Sequence, residues 1–285
     1  MGQILTIDTG GTKTRIVQFS EIFNTESAFD APVLHEIEFS TPYDGDEYVA
    51  QVADVIRSDF PDFDCDENGV VAIAIRGQIA NDCVSDAAKF GWDKFPVVEK
   101  LTDLVKKPVL VANDAKVGAL GAFSTDFRGR GLYLPIGTGV GISLIIDGEL
   151  SHEMSGTEVG SMRVLRGDEY IRWETTVSGD MIYEKTGFHG DELPPDHPFW
   201  HEYAESLGAG ILTILPIFYP DEVIIGGGVA NQFPYYGEML QKFVQENTSP
   251  RLKNTRISAA HDPRYTVNRG ALIYALKNRN FDHEN

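Results

Sequence analysis

The stretch Ile4-Leu5-Thr6-Ile7-Asp8-Thr9-Gly10-Gly11-Thr12-Lys13-Thr14-Arg15-Ile16-Val17 restricts the possible folds of this chain more than any other. Two β-rich runs, Ile4 to Ile7 and Arg15 to Phe19, flank a glycine pair and read as a hairpin. Glycine carries no Cβ, so Gly10 and Gly11 can take positive φ and let bare backbone approach a ligand. Successive N–H groups in such a turn form an anion-holding concavity, to which the Thr9 and Thr12 hydroxyls would add donors. Asp8 ends a strand of buried pattern and would repel a phosphate directly. It fits the turn if a divalent cation lies between, since Mg²⁺ is held by one or two carboxylates together with phosphate oxygens. The competing reading is an ordinary Gly-Gly hairpin whose polar residues satisfy only the turn itself. The rest of the chain has to decide.

At 285 residues the chain suits two domains of ordinary size. A net charge of -19 argues against a nucleic-acid partner, which needs clustered Lys and Arg. It also requires that an anionic ligand be held by local donors and a metal, against the overall field. Cys65 and Cys83, the only cysteines, form no CxxC pair, so neither a zinc site nor a disulfide framework is expected. The chain opens on a strand-like segment without a basic or apolar leader, and no run has the length of a membrane span. Met1-Gly2-Gln3-Ile4-Leu5-Thr6 fits a loose myristoylation pattern, but acylation would tether a strand expected to be buried. A cytoplasmic location with no membrane partner is therefore expected.

After the first hairpin, Val33 to Phe39 alternates as a third strand, and Tyr48 to Phe60 has the spacing of an amphipathic helix. Val70 to Ile75 is a continuous apolar run, as in a strand buried on both faces. Arg76 and Gly77 follow at its C-terminal end, where open α/β sheets bind ligands. Val97 to Val105 reads as a helix, and Pro108 to Ala112 as a strand that runs into Asn113-Asp114. Asn or Asp is a favoured N-cap, and small apolar residues follow, so capping explains one of this pair. A carboxylate at a strand end beside a helix N-terminus is also a good place for a general base, with the Asn113 amide orienting a second hydroxyl.

The opening pattern then repeats. Leu132 to Ile136 is a strand, Gly137-Thr138-Gly139-Val140-Gly141 a turn, and Ile142 to Ile146 a strand, followed by the hairpin signal Asp147-Gly148. Two such units suggest two similar domains whose phosphate loops face each other. The G-x-G-x-G string is not a dinucleotide fingerprint, because a strand follows it, and no P-loop is present. Glu158 lies in Gly156 to Met162, and a single helix is expected from Trp173 to Lys185 with Glu174 near its start. A long helix from Phe199 to Phe218 ends before Pro220. Glu222 to Ile225 is a buried strand that delivers Gly226-Gly227-Gly228, glycines that let backbone approach a bulky ligand. A helix from Tyr236 to Gln245, a strand near Ile257 and a helix from Thr266 to Leu276 complete the pattern.

Taken in this order, the blocks resemble the ROK family of sugar kinases, in the actin/hexokinase/Hsp70-like superfamily. Asp8-Thr9-Gly10-Gly11-Thr12-Lys13 is similar to the family's first phosphate motif, and Gly137-Thr138-Gly139-Val140-Gly141 to its second. Asn113-Asp114-Ala115 matches the stretch holding the catalytic aspartate, and Gly156-Thr157-Glu158-Val159-Gly160 resembles a sugar-contacting segment. Val223 to Val229 looks like the adenosine-side glycine motif, and Arg269-Gly270-Ala271-Leu272 the usual C-terminal helix. Ser161 stands where the family commonly has histidine, Met162 to Trp173 lacks the zinc-binding cysteines, and Lys116 replaces a frequent asparagine. Glu174 still matches a sugar-binding glutamate.

The resemblance implies an α/β fold of two actin-like (ribonuclease H-like) domains with a ligand cleft between them. A small domain of 1–113 would be completed by 266–285, and a large domain would take 114–265. The implied activity is transfer of the ATP γ-phosphate to a hexose hydroxyl, the 6-OH of glucose or a relative, with Asp114 as general base. Asp8 would hold Mg²⁺ through water, and no zinc site is implied. Gly10, Gly11, Thr12, Lys13, Gly137, Thr138, Gly139, Gly226, Gly227 and Gly228 would bind the nucleotide. Arg76, Gly77, Asn113, Asp114, Glu158 and Glu174 would bind the sugar, and the assembly would be a homodimer. The alternatives are a kinase of an N-acetylhexosamine or polyol, polyphosphate as donor, or a non-catalytic sugar sensor.

Overall fold

The structure, a computed structural model, describes residues 2–20, 24–85, 90–151 and 156–278. Met1 of the acylation pattern and the tail 279–285 of the expected first domain lie outside them. The chain forms two compact units, one of residues 1–125 with 267–285 and the other of 126–266. The helix after Asn113 is thus grouped with the first unit, whereas the boundary expected from sequence fell before it.

The first unit runs β1 (Ile4–Thr9), β2 (Lys13–Phe19), α1 (Thr25–Phe29), β3 (Val33–Ser40), α2 (Gly45–Asp59), α3 (Pro61–Asp64) and β4 (Val70–Ile75). It continues with β5 (Gln78–Ala80), β6 (Cys83–Ser85), α4 (Val97–Val105), β7 (Val109–Asn113) and α5 (Asp114–Ala122). The second unit runs β8 (Arg130–Pro135), β9 (Ser143–Ile146), β10 (Glu149–Leu150), β11 (Arg163–Arg166), β12 (Glu169–Arg172), α6 (Glu174–Val177) and α7 (Gly179–Thr186). It closes with α8 (Phe199–Phe218), β13 (Glu222–Gly226), α9 (Phe233–Asn247) and β14 (Arg256–Ala259), before α10 (Thr266–Asn278).

Each unit holds a five-stranded sheet, in the orders β3-β2-β1-β4-β7 and β10-β9-β8-β13-β14. In both, the first three strands are antiparallel neighbours and the last two add in parallel. The repeat foreseen in the two glycine-threonine turns is therefore a repeat of whole sheets.

Alternation along β4 builds two different faces. Val71, Ile73 and Ile75 pack with Leu5, Ile7, Val109 and Val111 and with Tyr48, Val52 and Leu101 from the covering helices. Ala72, Ala74 and Ala112 point the other way, as a period of two requires. On that face the Asn268 amide of α10 donates to Thr6 Oγ1 at 3.2 Å. There α10 meets α5 so closely that a Cβ on Gly270 would overlap the Val117 carbonyl.

The structure departs from the sequence expectations at three places. The single helix from Trp173 to Lys185 is two helices, broken at Ser178, whose ψ of 159° is extended. The β-branched run Thr175-Thr176-Val177 is a weak helix former, and Ser178 instead caps α7 by accepting from Met181 N. The ribbon β11–β12 was not anticipated, although Gly167-Asp168 between Val164-Leu165 and Tyr170-Ile171 is a hairpin signal. The helix expected at Tyr48 starts earlier, at Gly45, because Asp44 accepts from Asp46 N and Glu47 N.

Candidate functional site

In the first unit, Thr9, Ile75 and Asn113 lie level across β1, β4 and β7. Three parallel strands thus end together and deliver the Gly10–Thr12 turn, the Arg76-Gly77 pair and Asn113-Asp114 along one edge, where α/β sheets bind ligands. Asp8 is in register with Ala74 and Ala112, two small side chains. Across the antiparallel strands Asp8 faces Arg15, which faces Glu38. Arg15 Nη2 donates to Glu38 Oε2 at 2.6 Å.

Burial and then the charge of Asp114 push the Asp8 carboxyl up to about 7, with Arg15 opposing and Glu38 adding to the shift. Burial also raises Asp114, against the Ala115 N–H and the Arg76 guanidinium. Asp114 Oδ1 accepts from Ala115 N at 2.8 Å. Asn113 is the N-cap of α5: its Oδ1 accepts from Lys116 N at 3.1 Å while its Nδ2 donates to Gly77 O at 3.0 Å. Capping therefore belongs to Asn113 and leaves the Asp114 carboxyl free of that duty. One N–H and one lone pair of the Asn113 amide remain for a ligand.

The turn itself differs from its sequence reading in two ways. Neither Gly10 nor Gly11 adopts positive φ. The Thr9 hydroxyl is buried against Tyr48 OH at 2.7 Å, so it points into the core and is not a phosphate donor. Alternate residues of a strand share a face, and Thr9 falls on the core side with Leu5 and Ile7. Gly10 N donates to Lys13 O at 3.0 Å, and Thr41 Oγ1 donates to Gly10 O at 2.9 Å. Among the described residues, the N–H groups of Gly11 and Thr12 make no hydrogen bond within the protein. Lys13 pairs with Glu38 at 2.7 Å on the surface.

In the second unit, the turn after β8 is closed by Gly137 N donating to Gly139 O and Gly141 N to Pro135 O, both at 3.0 Å. Gly137 and Thr138 are exposed, and a Cβ on Gly137 would meet nothing within 4 Å. Gly179 N, at the start of α7, donates to Gly137 O at 2.8 Å. Of the three glycines after β13, two serve the fold itself. A Cβ on Gly226 would overlap the Tyr133 ring, and Gly227, at φ 73°, lies on the Ile136 backbone. Gly228 alone faces open space.

Glu158 is exposed and precedes the short turn Val159–Ser161, where Ser161 N donates to Glu158 O at 3.1 Å. Glu174 opens α6, and its Oε2 lies 2.8 Å from the place where a Cβ on Gly160 would be. The two glutamate-bearing segments are therefore side by side. Arg172, which was not singled out in the sequence, pairs with Glu174 Oε1 at 2.5 Å. Arg15 was also missed, although closing the hairpin at Thr9 and Thr14 puts it opposite Asp8.

Among the described residues no group of three or more His, Cys, Asp or Glu side chains is placed to hold a metal. No helix there is long and apolar enough to cross a membrane.

The ROK family model matches residues 4–278. A glucokinase of Pyrobaculum calidifontis is 26% identical over 300 aligned positions, covering 96% of each chain. A fructokinase of Pediococcus pentosaceus is 25% identical over 255 positions, 83% of this chain and 84% of the relative. A ROK family glucokinase from Streptomyces griseus, crystallised with glucose and AMPPNP, superimposes with a TM-score of 0.79 at 20% identity, covering 95% of this chain and 98% of that one. The repeated sheets are those of the actin-like fold of these kinases, and the chain belongs to the ROK family.

Proposed function

We propose that this protein is a kinase that moves the γ-phosphoryl group of ATP to a hexose hydroxyl, the 6-hydroxyl of glucose or a related hexose. The observation that carries this reading is the proximity of Asp8 and Asp114, two desolvated carboxylates at the ends of parallel strands that flank β4. Membership of the ROK family supports it.

Asp114 acts as general base. Its Oδ1 is fixed by the Ala115 N–H, and its second oxygen takes the proton as the hydroxyl oxygen bonds to phosphorus and ADP leaves. A carboxyl raised by burial is better matched to a base working near neutrality than an exposed one. Asn113, with Arg76 and Gly77 on the neighbouring strand end, orients the sugar, and Glu158 and Glu174 grip its other hydroxyls. A sugar lacking one of these hydroxyls would leave an acceptor that the bound sugar shields from water unpaired.

The N–H groups of Gly11 and Thr12, with Lys13, hold phosphate oxygens, as do the backbones of Gly137, Thr138 and Gly139. On the nucleoside side Gly228 gives the open approach, and Gly226 and Gly227 pack the segment that carries it. Asp8 fits Mg²⁺ bound through water, because it is a hard oxygen donor held beside a second carboxylate whose repulsion a cation would relieve. When bound, Mg²⁺ supplies neutralisation of the phosphate charge, and positioning supplies most of the remainder.

The test is ADP release and sugar-phosphate formation with hexoses, N-acetylhexosamines and polyols, using ATP or polyphosphate. Glucose stands first, and fructose is included because a fructokinase is among the relatives. Turnover dependent on one sugar is expected. No turnover with any pair would leave a sugar-binding protein without catalysis.

A further inference from the structure

Glu174 is a long, flexible carboxylate on the first residue of a four-residue helix that has no side-chain cap. Left to itself it would sample several rotamers, and fixing one of them costs side-chain entropy. Three contacts restrain it here. Trp173, fully buried, anchors the backbone by donating its indole N–H to Ser206 O at 3.2 Å and its own N–H to Met162 O at 2.8 Å. Gly160 offers a flat surface on which Oε2 rests. Arg172 holds Oε1 at 2.5 Å.

The same guanidinium nitrogen of Arg172 also donates to Ser161 Oγ at 2.8 Å. Ser161 closes the turn whose first carbonyl belongs to Glu158. One side chain therefore ties the segment bearing Glu158 to the helix bearing Glu174. Arg172 is about half exposed. An ion pair of that kind contributes little to stability, so its significance lies in orientation.

We propose that Arg172, acting with Ser161, is the positioning residue for Glu174 and so determines how tightly the sugar hydroxyls are recognised. This rests on the kinase reading above. The guanidinium does not touch the transferred group; it sets the angle at which Glu174 meets the sugar.

The test uses the full chain and the sugar found to be the best substrate. Arg172→Ala raises the KM for sugar roughly 10- to 100-fold, the scale of a misplaced contact of about 1 Å. The KM for ATP and the Tm stay near wild type. Arg172→Lys recovers part of the loss, since lysine keeps the charge but not the planar fork. Glu174→Ala raises the sugar KM as well, and the double variant Arg172→Ala/Glu174→Ala is no worse than Glu174→Ala, because one residue works through the other. An unchanged sugar KM in Arg172→Ala, or losses that multiply in the double variant, overturns the proposal while the kinase reading stands. A wild-type protein that phosphorylates no sugar overturns both.

Discussion

The charge of Asp114 is second only to burial in lifting the Asp8 carboxyl to about 7. The two acids lie at the ends of two parallel strands on either side of β4, with the small side chains of Ala74 and Ala112 in register with Asp8. Two desolvated like charges so placed destabilise the free protein, and a bound cation or proton relieves them. Such an arrangement favours function over stability.

This relationship sets a pH dependence. An acid whose folded pKa lies above its unfolded value of 3.8 holds its proton more tightly in the folded state. Stability therefore falls as pH rises from about 4 through about 7 and levels off above that. Asp8→Asn flattens this slope, of which the raised Asp114 carboxyl keeps a part, and at pH 8 the free variant is more stable than wild type by a margin on the order of a few kcal/mol. The same variant loses the extra thermal stabilisation that Mg²⁺ adds to nucleotide. Thermal melts across pH, with and without MgATP, check both outcomes.

Asp114→Ala lowers kcat by roughly 10²–10⁴-fold, the usual contribution of a positioned general base. Nucleotide-induced stabilisation persists, and Asp8 titrates lower in the variant because its largest neighbouring charge has gone. Wild-type turnover in Asp114→Ala would remove the aspartate from the mechanism.

Thr9→Val tests the corrected role of Thr9. It leaves the buried Tyr48 hydroxyl without its 2.7 Å partner. An unsatisfied buried hydroxyl costs about 1–3 kcal/mol. Denaturant melts should show that loss, while the KM for ATP stays unchanged; a raised ATP KM with full stability would restore Thr9 as a phosphate donor.

Gly270→Ala drives a methyl into the Val117 carbonyl of α5. Backbone cannot yield there without moving α5, whose first residue is Asp114. Overpacking typically costs about 1–3 kcal/mol, so both Tm and kcat fall. A Tm equal to wild type would show that α10 does not press on α5.

Much of the architecture was legible because it rests on local periodicity and turn chemistry. The run Val70–Ile75 and the helices Val97–Val105 and Phe199–Phe218 lie where their apolar spacing puts them. The Gly-Gly hairpin and the Asp147-Gly148 turn follow from turn-forming residue types, and capping by one of the pair Asn113-Asp114 was expected, the structure giving it to Asn113. The break at Ser178 was hidden, because apolar spacing continues across it and only competition between helix and cap decides. Arg172 was hidden for another reason: a charged residue on a surface ribbon looks like many others until its neighbours are known.

From its own order of residues the chain settled two β-hairpin units, the strand ends that carry Asp8 and Asp114, and the helices that cover them, all consequences of short-range sterics and hydrophobic alternation. Tertiary structure alone decided that the Thr9 hydroxyl turns to Tyr48, that Gly226 and Gly227 serve the protein's own packing, and that Arg172 spans Ser161 and Glu174. The reason is physical: burial, desolvation and charge coupling depend on groups brought together from distant positions, and no local pattern encodes which groups those will be.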